Sequence, residues 1–164
     1  MYKFIIYSDA LIKLTKSEIL KDVCRHYNCA ITPEIRNECV DEGKKRLYKD
    51  ALAIEEFINK KILKVIDLKK AAKIKENLGK GEISAVHLYF QEKKRIIVTD
   101  DSAFIKYLKQ NDIKFFIPAD LILLMKVADK IDRKAALSHL EKIKYFIREE
   151  VYNDIKKEIK EDQK

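Results

Sequence analysis

Carboxylates are the residues in this chain whose positions could do chemistry. Two short apolar runs end in acid: IIYSD at Asp9, and IIVTDD at Asp100 and Asp101. Two helical patterns carry Glu in their first turns, Glu38 behind TPEIRNE and Glu82 behind GKGE, with Glu34, Asp41 and Glu42 as neighbours that compete with Glu38. An Asp after a strand often serves only as a turn or cap residue, and a first-turn Glu is favoured by the helix dipole without any chemistry. Gathered in one cleft, however, such acids repel one another and hold protons unless a cation relieves them. Hard oxygen donors without His or Cys suit Mg²⁺ or Mn²⁺.

Other chemistries have less support. The three cysteines, Cys24, Cys29 and Cys39, form no CxxC pair, and their odd number argues against a disulfide framework, so they read as buried thiols. His26, His87 and His139 sit in patterned helical segments, and no Cys–His or Ser–His–acid pair has interpretable spacing.

To bring acids so far apart in sequence together, a fold must alternate strands and helices. Residues 3–8 read as a first strand, followed by one or two helices over 11–27. Residues 29–31 read as a second strand. Thr32 and Pro33 then start a helix as cap and first helical residue, and that helix runs to about Gly43. A further helix covers 45–61, residues 62–68 give a short edge strand, and 69–78 is helical in pattern up to Gly79. After a glycine-flexed turn, a helix begins near Glu82. A strand covers 95–101, a helix 102–111 and a strand 114–120; helical segments over 121–129, 133–147 and 148–160 complete the chain. Short all-apolar strands alternating with helices predict an α/β fold, a three-layer α/β/α arrangement around a mostly parallel sheet. In such a sheet ligands bind outside the carboxyl ends of the strands, where Asp9 and Asp100–Asp101 are expected.

The 164 residues read as a single domain spanning 1–164, with a helical C-terminal part from about 119. Hydrophobic residues at 47% and charged residues at 38% exclude a disordered chain. No stretch reaches the roughly 18 apolar residues of a membrane span, so no membrane partner is expected. The opening apolar run is too short for a secretory signal and ends in Asp, which places the expected location in the cytoplasm. A net charge of +8 favours a polyanionic partner, although a composition rich in Lys, Ile and Glu produces charge of this kind by itself.

Four blocks, in order, resemble the PIN-domain family, and the likeness covers nearly the whole chain. IIYSDALIKL resembles the family's first strand with its terminal Asp and following helix. ITPEIRNE resembles the block in which a Glu follows a Pro by five residues. LGKGEISAVHLYFQE resembles the Gly-Glu helix start, and RIIVTDDSAFIKYL the strand–Thr–acid–helix block. The segments FIPADLILLMKVADKI and YFIREEVYNDI are similar to the C-terminal helices of a bacterial and archaeal subgroup.

The resemblance implies a divalent-metal-dependent ribonuclease that leaves a 5′-phosphate and a 3′-hydroxyl. Its catalytic acids would be Asp9, Glu38, Glu82 and Asp101, with Asp100 a close second to Asp101. Asp9, Glu82 and Asp101 would hold Mg²⁺ or Mn²⁺, and Ser8 and Thr99 would orient carboxylates. Many relatives have Asp where Glu82 stands, and the longer side chain is expected to alter metal preference or weaken binding. Lys13, Lys16, Lys80 and Arg95, with Lys93 and Lys94, would form an RNA-binding rim, and Tyr7, Tyr89 and Phe104 lie near enough to stack on bases, Phe104 being better placed for core packing. The same resemblance implies the toxin of a toxin–antitoxin pair, with a small antitoxin protein plugging the acidic cleft, and a homodimer.

Two other readings remain at this point. A non-catalytic RNA- or protein-binding module on the same fold would use the basic surface and leave the carboxylates incomplete. A phosphotransfer receiver-like domain would place its acid pair after the first strand, whereas here the pair comes late and Asp9 is single.

Overall fold

A computed structural model describes residues 1–69 and 77–161. Its centre is a five-stranded sheet of order β3-β2-β1-β4-β5, with every pairing parallel. The strands are β1 (Lys3–Ile6), β2 (Asn28–Ile31), β3 (Lys64–Val65), β4 (Arg95–Val98) and β5 (Phe115–Phe116). With helices on both faces, this is the expected three-layer α/β/α architecture. β1 pairs with β2 on one side and β4 on the other, and Phe4, Ile5 and Ile6 are completely buried. A strand covered on both faces has no use for polar alternation, which is why KFII reads as a continuous apolar run.

The strand order fixes where a site can form. From β1 the chain winds outward through β2 to β3, then crosses back to β4 and winds the other way to β5. The loops leaving β1 and β4 therefore part in opposite directions, and the crevice between them is the sheet's switch point. Two backbone bonds extend the pairing into that crevice: Tyr7 N–H donates to the Val98 carbonyl and Thr99 N–H to the Phe116 carbonyl, both at 3.0 Å.

The helices that meet the crevice begin with recognisable caps. α1 (Ser8–Lys16) follows β1 after one residue, and α2 (Leu20–His26) returns the chain to β2. The Thr32 side chain accepts from Ile35 N–H at the start of α3 (Pro33–Arg36), with Pro33 in the first turn as the sequence predicts. α3 runs through a π-helical turn, Asn37–Asp41, into α4 (Glu42–Lys45). The helix does not stop at Gly43, as expected from the sequence. A Cβ there would stand 3.0 Å from Ala51 Cβ, so this glycine lets the helix lie close against α5 (Lys49–Asn59). The stop is instead Leu47, held at φ 59°.

α6 (Lys80–Gln91) leads to β4, and α7 (Ser102–Gln110) follows β4. The reading of 114–120 as one strand is corrected: β5 is only two residues long, and α8 (Pro118–Val127) already begins at the proline, its Asp120 side chain accepting from Ile117 N–H at 2.9 Å. α9 (Arg133–Lys142), a 3-10 turn at Lys144–Phe146 and α10 (Glu149–Lys160) follow as the expected helical tail. The helix expected over 69–78 falls largely outside the described residues. Among the described residues no helix is long and apolar enough to cross a membrane. One contiguous core joins sheet and helices, from Phe4 and Leu11 through Phe104 to Ile159.

Candidate functional site

Asp9 lies in the first turn of α1 and bridges the two sides of the crevice. Its Oδ1 accepts from the Thr99 hydroxyl at 2.9 Å and its Oδ2 from the Asp100 backbone N–H at 2.7 Å. Thr99 is itself fully buried, so its hydroxyl has a fixed direction. The end of β1 is thereby tied to the end of β4 through one carboxylate. Burial pushes the Asp9 carboxyl above its usual range, and these two bonds, with Lys13 nearby, pull back against that rise.

Glu38 stands on the π-helical turn and accepts a hydrogen bond from the Ser8 hydroxyl. It crosses the start of α6 directly over Gly81, where a Cβ would lie within 2.8 Å of its carboxylate carbon. Glu82, the next residue, reaches back to cap its own helix, with Oε2 accepting from Gly79 N–H at 2.6 Å. Partial burial raises the Glu82 carboxyl, the Gly79 bond opposes this, and repulsion from Asp101, Glu38 and Asp9 adds to the rise. Tyr7 meets the same four acids: burial first, then Glu82, Glu38, Asp9 and Asp101, hold its phenol far above the ordinary value, so it stays protonated. Cys39 is pushed up to about 12, mainly by burial, with Glu38 and Asp9 contributing.

Asp101 and Asp100 differ in direction. Asp101 caps α7, its Oδ1 accepting from Phe104 N–H at 2.8 Å, and its charge acts on Glu82 and Tyr7. Asp100 turns to Lys13, whose Nζ stands 2.9 Å from its Oδ2, and the Asp100 side chain is only 5% exposed. Among the described residues its Oδ1 is buried without a hydrogen-bond partner. Asp9, Glu38, Glu82 and Asp101 therefore form one electrostatic neighbourhood, and Asp100 belongs to a neighbouring ion pair.

The expected basic rim is corrected at several positions. Arg95 is 4% exposed and sits at the start of β4, the end of the sheet opposite the acids; its guanidinium donates to the carbonyls of Phe4 (3.3 Å) and Asn28 (3.2 Å) and to Asn28 Oδ1. Lys93 and Lys94 precede it on that same far side. Lys13 works inside the cluster, 3.8 Å from Asp9 as well as bonded to Asp100. Lys16 pairs with Asp50 at 2.8 Å and lies over the Phe146 ring. Lys80, the first residue of α6, is exposed next to the acids. Of the three aromatic residues, Phe104 is wholly buried in the core, as expected, and Tyr7 packs edge-on against it at 5.1 Å; Tyr89 packs edge-on against Phe90. The three thiols are free and buried. His139 Nδ1 bonds the Ser17 carbonyl at 2.7 Å, and His87 is buried within α6.

Two contributions were missed from sequence. The part played by Gly81 had one visible signal, its place directly before Glu82. The pairing of Lys13 with Asp9 was legible as an i,i+4 spacing on one helix, but Lys13 was assigned to the rim.

The donor set suits a hard divalent cation: four carboxylates and two hydroxyls, with the neighbouring Cys39 thiol held protonated and a Glu82 whose charge burial and the other acids disfavour. Among the described residues, no three His, Cys, Asp or Glu side chains converge tightly on one point as they stand. Glu82 and Asp101 are each turned back to a helix end.

An all-parallel α/β/α domain with carboxylates from four separate segments at its switch point is a distinct class of protein. A family model described as a PIN domain matches residues 3–161, and the chain belongs to the PIN-domain family. PIN domains are generally nucleases. No curated protein and no solved structure matches the chain.

Proposed function

We propose that this chain is a divalent-metal-dependent endoribonuclease. The observation that carries the reading is geometric: Asp9 ties the ends of β1 and β4 together, and Glu38 crosses the start of α6 at Gly81, directly before Glu82. Acids from separate segments gathered at one rim, with repulsion adding to the burial that raises Glu82, suit a bound cation. Asp9, Glu82 and Asp101, with Glu38, would hold Mg²⁺ or Mn²⁺. The chemistry such an ion supplies is activation of water and neutralisation of charge at the scissile phosphate.

The chain's own groups arrange the site. Thr99 and the Asp100 backbone N–H fix both oxygens of Asp9, leaving its second lone pairs directed by a rigid strand end. Ser8 holds Glu38. Tyr7 stays protonated and offers a hydrogen-bond donor to an anion. Lys80 is the expected rim cation that remains exposed beside the acids.

Within this reading the chain acts on RNA in the cytoplasm as the toxin of a toxin–antitoxin pair. Its further partners are a small antitoxin protein and a second copy of itself. A non-catalytic RNA- or protein-binding module is the second reading, favoured by one observation: each of the four acids already has a bond within the chain or caps a helix. Incubation of end-labelled RNA with the purified protein separates the two. Cleavage in Mn²⁺ that stops in chelator and falls at least about 100-fold in Asp9→Asn supports the enzyme; binding without cleavage in Mn²⁺ supports the module.

A further inference from the structure

Beside the acids, and sharing Ser8 and Glu38 with them, lies a pocket of about 460 Å³ between α1, the π-helical turn and α5. Its lining combines Ile12, Cys39, Gly43 and Ala51 with the charged Lys16, Glu42, Arg46 and Asp50. The volume falls in the range of about 300–1,000 Å³ typical of small-ligand sites. Its outer edge is the tight turn Arg46-Leu47-Tyr48. Leu47 is held there in a left-handed conformation that a leucine seldom adopts, with 89% of its surface exposed. The turn is fixed by Leu47 N–H donating to the Lys44 carbonyl and Tyr48 N–H to the Gly43 carbonyl. It presents Tyr48 and Arg46 together at the pocket's edge.

The charges around the pocket are mostly spent on one another. Lys16 pairs with Asp50, Lys45 with Glu42 and Lys44 with Glu55. Arg46 is exposed; its charge acts on Glu42, but among the described residues its guanidinium makes no hydrogen bond and no close ion pair. Tyr48 is 54% exposed, and its ring stacks on no other ring among the described residues. A recess with an apolar part, an unstacked aromatic ring and a guanidinium free of close ion pairs make up a recognition set for an unpaired nucleotide.

We propose that this pocket takes the base of a single-stranded RNA nucleotide next to the cleaved bond, with Tyr48 stacking on the base and Arg46 contacting its phosphate. The position beside the cleaved bond rests on the ribonuclease reading; the binding of a base does not. A partly apolar pocket discriminates a nucleotide from its bare sugar-phosphate, which the acids alone cannot do. It also selects single strands over duplex, because a paired base cannot leave its stack without cost.

The test is fluorescence anisotropy in EDTA, with a labelled RNA octamer and an octamer of abasic spacers as probes. Tyr48→Ala is expected to weaken RNA binding about tenfold and leave the abasic probe unaffected. Tyr48→Phe keeps the ring and should bind RNA like the parent protein. Arg46→Gln should weaken both probes and lower the salt dependence by roughly one phosphate contact. Unchanged RNA affinity in Tyr48→Ala overturns the proposal, as does a change in sedimentation of Tyr48→Ala, which would make the pocket edge an interface between copies. Because these readouts need no metal, they are independent of the nuclease reading. A parent protein that binds RNA through Tyr48 yet never cleaves in Mn²⁺ retains the pocket and loses the enzyme. One that cleaves RNA with the Tyr48 variants unaffected loses the pocket alone.

Discussion

Glu38 passes over Gly81 so closely that a Cβ at residue 81 would stand 2.6 Å from Glu38 Oε2. Two acid-bearing segments, the π-helical turn and the start of α6, meet there with only a hydrogen atom between them. Gly81 is followed directly by Glu82, so one close approach sets both carboxylates. Gly81→Ala adds a good helix former in the first turn of α6, worth up to about 1 kcal/mol. The atoms it displaces are the flexible end of Glu38. The variant should therefore fold with unchanged or slightly raised stability while RNA cleavage falls at least about tenfold. Thermal melting and a cleavage assay, run side by side, separate the two effects.

Glu82 carries its charge at a cost. Its carboxyl is raised by burial first and then by Asp101, Glu38 and Asp9, against the Gly79 bond. A folded-state value above the unfolded one favours the protonated form on folding. The stability it supplies is present below the usual carboxylate value and is lost as pH rises through the raised one. Glu82→Gln removes this titration and keeps an oxygen for Gly79 N–H. At pH 7 the variant should melt above the parent, and near pH 4 the difference should vanish. An equal gain at both pH values would show that the ionised Glu82 carboxylate is not its source.

Lys13 and Asp100 form a partly buried pair, with side chains 19% and 5% exposed. Removing only the cation leaves a buried carboxylate, with its Oδ1 already unpartnered. Lys13→Met should cost about 2 kcal/mol at neutral pH. Asp100→Asn in the same chain should recover at least half of it. Asp100→Asn alone should leave cleavage within a few fold of the parent, whereas Asp101→Asn should reduce it about 100-fold. Urea unfolding of the single and double variants measures the coupling.

The fold was legible because its strands are short, apolar and buried on both faces. KFII and RIIV cannot be read as amphipathic helices, and the Thr-Pro start of α3 announces itself locally. Where local signals misled, a tertiary contact had overridden them. Gly43 resembles a helix stop, but Ala51 packs against it, and the stop passes to Leu47. KFFIPAD resembles a strand through its last residue, but the proline already begins a helix that Asp120 caps.

The site was legible at its acids and much less so at its cations. Asp9, Glu38, Glu82 and Asp101 stand at the ends of strongly patterned segments, so a parallel sheet carries them toward one edge. A lysine or arginine announces nothing comparable. Arg95 opens β4 as plainly as Asp101 follows it, yet which end of the strand faces the crevice depends on the sheet. Its guanidinium is spent on the carbonyls of Phe4 and Asn28. The pocket edge at Arg46 and Tyr48 was invisible, because it depends on α4 and α5 meeting at a left-handed leucine.

Mn²⁺ titration by calorimetry, on the parent protein and on Asp9→Asn, Glu38→Gln, Glu82→Gln and Asp101→Asn, tests most directly whether the four acids share a cation. Convergence predicts saturable binding in the parent and at least about tenfold weaker binding in each single variant, because every lost carboxylate removes one hard ligand and its charge. A parent protein that takes up no Mn²⁺, or variants that bind it as tightly as the parent, would contradict a shared metal centre.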